Sequence, residues 1–372
     1  MLKLIKDRKG DIIDMAKERI HELKQTENSF QLIGVITGTE KNRFYKNGDT
    51  KNGGKWNSLE FGVKINDGKT IYCTLKGFPR SEVFYYKKGE KGAKGTTQKV
   101  SWNNRHKSPG AGYRLIGVNI STSKDDQGKN VNESFTEYDA VEFLHGHLHD
   151  GDNVFIRGSL EFSSYTDRNG QLKRKVELVP NQISYTTSPV NFAANDFVEM
   201  AEFENTIVFS SIDKEEDENG KATGRFILSG YSVGYNNVET VNFIIDADHA
   251  KVASAIKKKM KSGNSIKTYG RISVQNNVEA APAEDDGWGS TETSPMERVT
   301  APTIREYVVY KVDGSTFDTE TYSEKAIAEA LKKIKAAREA AANFGEKPES
   351  NAGASDDDWG ADDDDDMGND PW

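Results

Sequence analysis

The residues best equipped for chemistry lie between Arg80 and Lys124, where ten lysines and arginines stand against two acids. Rings are interleaved with them. Phe84, Tyr85 and Tyr86 precede Lys87 and Lys88, Trp102 precedes Arg105, His106 and Lys107, and Tyr113 precedes Arg114. Cations neutralise phosphates, and flat rings stack nucleobases at about 1–3 kcal/mol each without reading sequence. A stretch holding both is suited to a single-stranded polyanion. The plainer alternative is a solvated lysine- and glycine-rich loop whose rings fold back on a core.

Catalytic chemistry finds little footing. His145, His147 and His149 in HGHLHDGD invite a metal. Alternate residues at a helix end point in different directions, however, and no cysteine or second histidine cluster completes a site. There is no phosphate-cradling Walker loop, no nucleophile elbow and no glycine-rich dinucleotide turn. Carboxylates are abundant but none forms a fixed pair. The expectation is no catalytic residue, no metal and no cofactor.

Strand parity says which side chains the elements would present. In WNSLEFGVKI, Leu59, Phe61, Val63 and Ile65 alternate with polar residues; after the turn NDGK, Ile71, Cys73 and Leu75 do the same in TIYCTLK. That is a hairpin with one buried face. Trp56 and Lys64 then share the outer face of one strand, and Tyr72 and Lys76 that of the next. In NVFIRGSL, inward Val154, Ile156 and Leu160 leave Phe155 and Arg157 outside. Arg43, Phe44 and Tyr45 fall in the loop after the strand SFQLIGVIT. The candidate nucleic-acid contacts are therefore Arg43, Phe44, Tyr45, Trp56, Lys64, Tyr72, Lys76, Tyr85, Tyr86, Lys87, Lys88, Trp102, Arg105, Lys107 and Arg157.

The order strand, strand, strand, helix, strand, strand suits a small Greek-key barrel of the OB type, whose second and third strands hold oligonucleotides. The helix is TEYDAVEFLHGHL, with Thr136 as N-cap. The second half repeats the order, and GDNVFIRGSL (151–160) aligns with GNSIKTYGRI (263–272), placing Gly158 against Gly270. Repetition of this kind favours tandem copies of one fold. The fold class expected is mainly β, with two tandem OB-like five-stranded barrels, flanking helices and a disordered acidic C-terminal tail. The domains expected are an N-terminal helix in 1–27, a barrel over 28–188 with the basic aromatic insertion at 77–135, and a second barrel over 196–315. A helix over 323–344, opened by Ser323, and a disordered tail over 345–372 complete the chain. In the second barrel Tyr269 and Arg271 could extend the binding track, although its charge is negative.

The whole chain has a net charge of −9 over 372 residues, but unevenly. Residues 1–188 carry +8, residues 189–348 carry −7, and the last 24 carry ten acids and no base. Partners feel such local fields within roughly 10 Å. The single cysteine, Cys73, excludes an internal disulfide and suits a reducing cytosol. No run of 18 apolar residues suggests a membrane helix, and the charged N-terminus lacks a secretory h-region. The expected location is the cytoplasm. The end, DDDWGADDDDDMGNDPW, lacks aliphatic core formers and closes on Asp370, Pro371 and Trp372. A solubilising tail gains nothing from a terminal indole, whereas a basic pocket can capture one apolar anchor with its carboxylate.

Residues 144–185, with a Gly-polar-x-Val start, a glycine in the fourth strand, an aromatic plus Asp-x-x-Gly turn and an alternating last strand, resemble bacterial single-stranded DNA-binding proteins. The aspartate run ending in Asp370, Pro371 and Trp372 is a second feature similar to that family, whose cellular members more often end in phenylalanine. Two barrels on one chain, a large insertion and a second acidic-aromatic stretch (284–290) look more like a bacteriophage or plasmid replication protein. The resemblance implies sequence-tolerant binding of single-stranded DNA in replication, recombination or repair. It also implies recruitment of replication enzymes such as a polymerase, helicase, primase or nuclease through the tail. The rivals are an acidic adaptor or nucleic-acid mimic, against which the basic 80–124 stretch argues, and a single-stranded RNA-binding protein. Composition does not fix the oligomeric state.

Overall fold

Apolar–polar alternation is the dominant pattern of the chain, and strands dominate the structure accordingly. The computed structural model describes residues 19–50, 53–90, 93–166, 171–217, 219–275 and 304–345. Expectations for residues 1–18, for 284–290 and for the tail with Asp370, Pro371 and Trp372 lie outside these residues.

The first strands are β1 (Asn28–Thr37), β2 (Tyr45–Asp49), β3 (Lys55–Asn66) and β4 (Lys69–Gly77). The insertion supplies β5 (Glu82–Lys87), β6 (Thr96–Ser101), β7 (Arg114–Leu115), β8 (Val118–Lys124) and β9 (Asn130–Phe135). Helix α1 (Glu137–His147) follows, then β10 (Asn153–Thr166) and β11 (Leu172–Tyr185). The second half holds β12 (Ala201–Glu216), β13 (Ala222–Val233), β14 (Val238–Ile245), α2 (Ala250–Lys259), β15 (Ser265–Gln275), β16 (Ile304–Asp318) and α3 (Glu324–Gly345). The protein is mainly β, with one mixed thirteen-stranded sheet and a separate three-stranded sheet ordered β6-β5-β7.

Strands β12 to β16 close on themselves. β12 pairs with β13 and β15, β13 with β14, β15 with β16, and β14 meets β16 in parallel at Ile244 and Val308. The first group starts in the same order, with β1 pairing β3 and β10, β3 pairing β4, and β10 pairing β11. There β8, from the insertion, takes the parallel place beside β11.

The two groups meet at their first strands. β1 runs antiparallel to β12 with Phe30 opposite Phe203. Each ring also faces a glycine of its own group, Phe30 opposite Gly158 and Phe203 opposite Gly270. A β-carbon on Gly158 would lie 2.7 Å from Phe30 Cε1, and one on Gly270 2.3 Å from Phe203 Cε1. Both glycines also adjoin a register shift. Only a residue without a side chain lets the ring and the neighbouring backbone approach this closely. One cluster of buried side chains runs through both groups.

Three local expectations meet the structure directly. Thr136 caps α1, its hydroxyl accepting from the Asp139 amide at 3.1 Å. Ser323 likewise accepts from the Ala326 amide before α3. The helix expected to run to Lys24 is not helical from residue 19 onward. There the Ile20 amide donates to Asn236 Oδ1 and the Thr26 amide to the Val233 carbonyl. Ile20 and Leu23 instead pack with Ile327, Ala330 and Ile334 of α3 against Val208, Val233 and Val238.

Candidate nucleic-acid interface

The β3–β4 hairpin buries Leu59, Phe61, Val63, Ile65, Ile71, Cys73 and Leu75 completely. Its other face therefore presents Trp56, Ser58, Glu60 and Lys64 on β3 beside Thr70, Tyr72, Thr74 and Lys76 on β4. Across the ladder, Ser58 faces Lys76, Gly62 faces Tyr72 and Lys64 faces Thr70. Arg43 reaches this face from the turn after β1, its guanidinium 4.8 Å from the Tyr72 ring centre. The structure thus brings Arg43, Trp56, Lys64, Tyr72 and Lys76 onto one face.

The cations of this face are not bare. Arg43 Nε lies 3.5 Å from Glu60, Lys64 Nζ 3.0 Å from Asp67, and Lys76 Nζ 3.1 Å from Glu177 of β11. Lys64 also stands 5.4 Å over the Phe192 ring in the 186–200 connection. These pairs are solvent-exposed, and exposed pairs are worth about 0–1 kcal/mol, so an incoming phosphate can displace the carboxylates. Arg157, exposed on β10, lies in register with Gln31 of β1 and Gln182 of β11.

Three candidate contacts are placed elsewhere. Phe44 is buried in the core, 5% exposed, and Tyr85 is equally buried. Neither ring is available to a base. Phe44, in the bend before β2, packs into the core cluster, and for Tyr85 alternation decides: it shares parity with Val83 on the inner side of β5, leaving Phe84 and Tyr86 outside. The Tyr85 hydroxyl donates to the Arg105 carbonyl, and burial pushes its acidity down, its pKa lying above the ordinary value. Arg105 is the third correction. It forms a two-pronged pair with Asp139 of α1 at 2.8 and 2.9 Å and lies over the half-buried Trp102 ring at 4.4 Å. That guanidinium fastens the insertion to the helix. Burial raises the Asp139 pKa, but hydrogen bonds from Arg105 and Thr136 outweigh it and hold the carboxyl below its ordinary value.

Tyr45 is half-engaged, its hydroxyl donating to Glu142 at 2.7 Å and its ring stacked 4.0 Å from His145. His147 stacks on Phe143 at 4.1 Å, and His149 approaches Asp152 at 4.0 Å, so the three histidines have three separate partners. Tyr86, Lys87, Lys88 and Lys107 are exposed. Phe84, Lys99 and Arg114 escaped the list of candidates. The alternation V-F-Y-Y-K in β5 carried the signal for Phe84; the pairing that brings Lys99 and Arg114 beside it had none in the sequence.

Several strand cations of the second group are compensated, while Lys257, Lys258, Lys259 and Lys261 at and just after the end of α2 are exposed. Arg225 meets Glu306, Glu215 and Asp246 at 2.7, 3.4 and 3.4 Å, and Arg271 meets Asp246 at 2.6 Å. Lys267 donates to Glu204 and Glu27, which hold its pKa well above the ordinary lysine value. Lys311 stands 5.3 Å over the Tyr269 ring.

A family model described as YorF matches residues 87–347. No curated protein matches the chain. Among solved structures, the wild-type single-stranded DNA binding protein from Thermus aquaticus is similar at 10% identity and a TM-score of 0.37, over 78% of this chain and 93% of that one. A deletion mutant of the same protein gives 12% identity and a TM-score of 0.36, over 78% and 94%. The Plasmodium falciparum SSB in complex with ssDNA gives 8% identity and a TM-score of 0.17, over 45% and 97%. The interface described above rests on its own geometry.

Proposed function

The chain belongs to the YorF family, and we propose that it is a non-catalytic protein that coats single-stranded DNA. The observation that carries this reading is the outer face of β3–β4, where Trp56 and Tyr72 stand among Arg43, Lys64 and Lys76. Rings there stack bases and cations take phosphates, and neither contact reads sequence. We read the two strand groups as tandem barrels of the OB type, the first binding and the second supporting. The finer reading follows from sequence: a bacteriophage-type protein of the bacterial cytoplasm, acting in replication, recombination or repair. Its acidic tail, ending in Asp370, Pro371 and Trp372, would recruit replication enzymes and lie over the basic face when no strand is bound.

The test is a salt series with a fluorescent oligothymidylate, for the full chain and for residues 1–348. Affinity should fall with a log–log slope of about −0.7 per phosphate neutralised. Truncation should tighten binding or leave it unchanged while abolishing capture of a replication enzyme. No binding at about 50–100 mM salt, where such contacts are strong, would sink the reading. Equal competition by a ribo-oligomer would move it to RNA, because the 2′-hydroxyl is what separates the two.

A further inference from the structure

The insertion contains a sheet of its own whose outer face has no cover among the described residues. On β5, Val83 and Tyr85 are buried while Phe84 and Tyr86 are 36% and 43% exposed. Pairing aligns Phe84 with Lys99 of β6, and Tyr86 with Thr97 of β6 and Arg114 of β7. The Ile116 amide donates to the Phe84 carbonyl, and Ile116 is itself 56% exposed. Large apolar side chains standing together on a solvated sheet face are uncommon and mark a docking surface. This one is basic as well. Lys99 Nζ stands 5.4 Å over the Phe84 ring, and Arg114 lies opposite Tyr86.

The rings are held ready. A β-carbon on Gly95 would fall 2.2 Å from the Tyr86 hydroxyl, so the Tyr86 side chain lies directly on the backbone before β6. Glu82, which pairs with Lys99 at 2.5 Å, is the one acid of the three strands. The insertion as a whole is fixed to α1 by the Arg105–Asp139 pair, and also by Arg80 against Glu137 at 3.4 Å. The sheet is therefore a rigid extension of the first strand group. It is reached from β4 through residues 78–81, where Phe78 is 42% exposed.

We propose that this face is a second stacking platform for the same single strand, continuing the path beyond the β3–β4 face. Bases stack on Phe84 and Tyr86, and phosphates meet Lys99 and Arg114. The inference rests on the proposed function for its ligand. Charge selects that occupant: an apolar partner surface gains nothing from a cation beside each of the two rings, whereas a polynucleotide uses both ring and cation.

The test compares two oligothymidylates, one of about 8 nucleotides, within what a single OB-type fold occupies, and one of about 30. The Phe84→Ala/Tyr86→Ala double variant should bind the short strand like wild type and the long strand roughly tenfold to a hundredfold more weakly. Because that variant removes two large side chains from the small sheet, Lys99→Glu/Arg114→Glu provides a second one. It should weaken long-strand binding and flatten its salt dependence while leaving the circular dichroism spectrum unchanged. Wild-type affinity of both variants for the long strand overturns the platform and leaves the proposed function standing. Failure of the wild-type protein to bind either strand overturns the function itself. A wild-type dimer that the double variant dissolves, with long-strand affinity intact, would reassign the face to self-association.

Discussion

The two strand groups share an order of strands, a helix before the fourth strand and a phenylalanine–glycine contact at the fourth, yet they present opposite outer surfaces. On β3–β4 the outward positions hold Trp56, Lys64, Tyr72 and Lys76. On β13–β14 the outward positions hold Arg225, Ile227, Ser229, Tyr231, Thr240, Asn242 and Ile244. The cation among them, Arg225, is held by Glu306, Glu215 and Asp246. Tyr231 packs there against the cluster that contains α3. Lys267 of β15 is likewise held by two carboxylates. A fold is thus kept by its inward residues and a surface is set by its outward ones. One frame carries a face open to a polyanion and another closed by a helix.

That comparison predicts equal fragility in folding and unequal consequences in binding. Gly158→Val and Gly270→Val should be the most damaging changes and should damage alike. A β-carbon would lie 2.0 Å from the Val179 carbonyl at the first site and 2.4 Å from the Val308 carbonyl at the second. Backbone cannot yield as a side-chain tip does, so each should cost about 3 kcal/mol or more, measured by urea unfolding. If only one does, the two groups are not equivalent frames.

The next effect is confined to the first group, which alone carries an insertion before its helix. Asp139→Asn should cost about 1.5–3 kcal/mol by leaving the Arg105 guanidinium half-paired. Its carboxyl is held below the ordinary value in the folded protein. Its stabilising contribution is therefore complete above the unfolded value and is lost as pH falls through the folded one, below about pH 4. Thermal melts of wild type and variant should accordingly differ at pH 7 and converge in acid. A gap that stays constant with pH would remove the pair from the account.

Binding should separate the groups cleanly. Trp56→Ala and Tyr72→Ala should each weaken oligothymidylate binding by roughly 1–3 kcal/mol, while Tyr269→Ala, whose ring already lies under Lys311, should leave it unchanged. Comparable losses at all three would make the second group a binding surface too.

Much of the frame was legible because it follows from alternation. Leu59, Phe61, Val63 and Ile65 could share only one face, and that alone placed Trp56 and Lys64 on the other. The Gly158–Gly270 correspondence marked two like positions, and the structure sets a phenylalanine against each, Phe30 and Phe203. What escaped were facts of pairing. Nothing in SEVFYYKK states that Thr96–Ser101 will lie beside it and bring Lys99 to Phe84. Nothing local in WNNRHK foretells that Arg105 will pair with an aspartate 34 residues on. The N-terminal stretch shows the reverse error. Ile20 and Leu23 have helical spacing, but the Ile20 amide bonds to Asn236 and the Thr26 amide to Val233 of β13 instead. Tertiary contact overrode periodicity there.

The smallest effect is also the most discriminating. Glu177 accepts from Lys76 at 3.1 Å and stands 3.7 Å from Lys175, so it competes with a phosphate for both lysines. Lys76 is half exposed, and an exposed pair of this sort is worth no more than about 1 kcal/mol. Glu177→Gln should therefore tighten oligothymidylate binding by up to about fivefold. It should also steepen the log–log salt slope, by at most about 0.7 for each further phosphate engaged. The matching change in the second group, Glu204→Gln, leaves Lys267 still paired with Glu27 at 3.0 Å and should leave both quantities where they were. Tightening by Glu204→Gln and not by Glu177→Gln would place the strand on the wrong group. Tightening by both would show that bulk charge governs binding, rather than one ordered face.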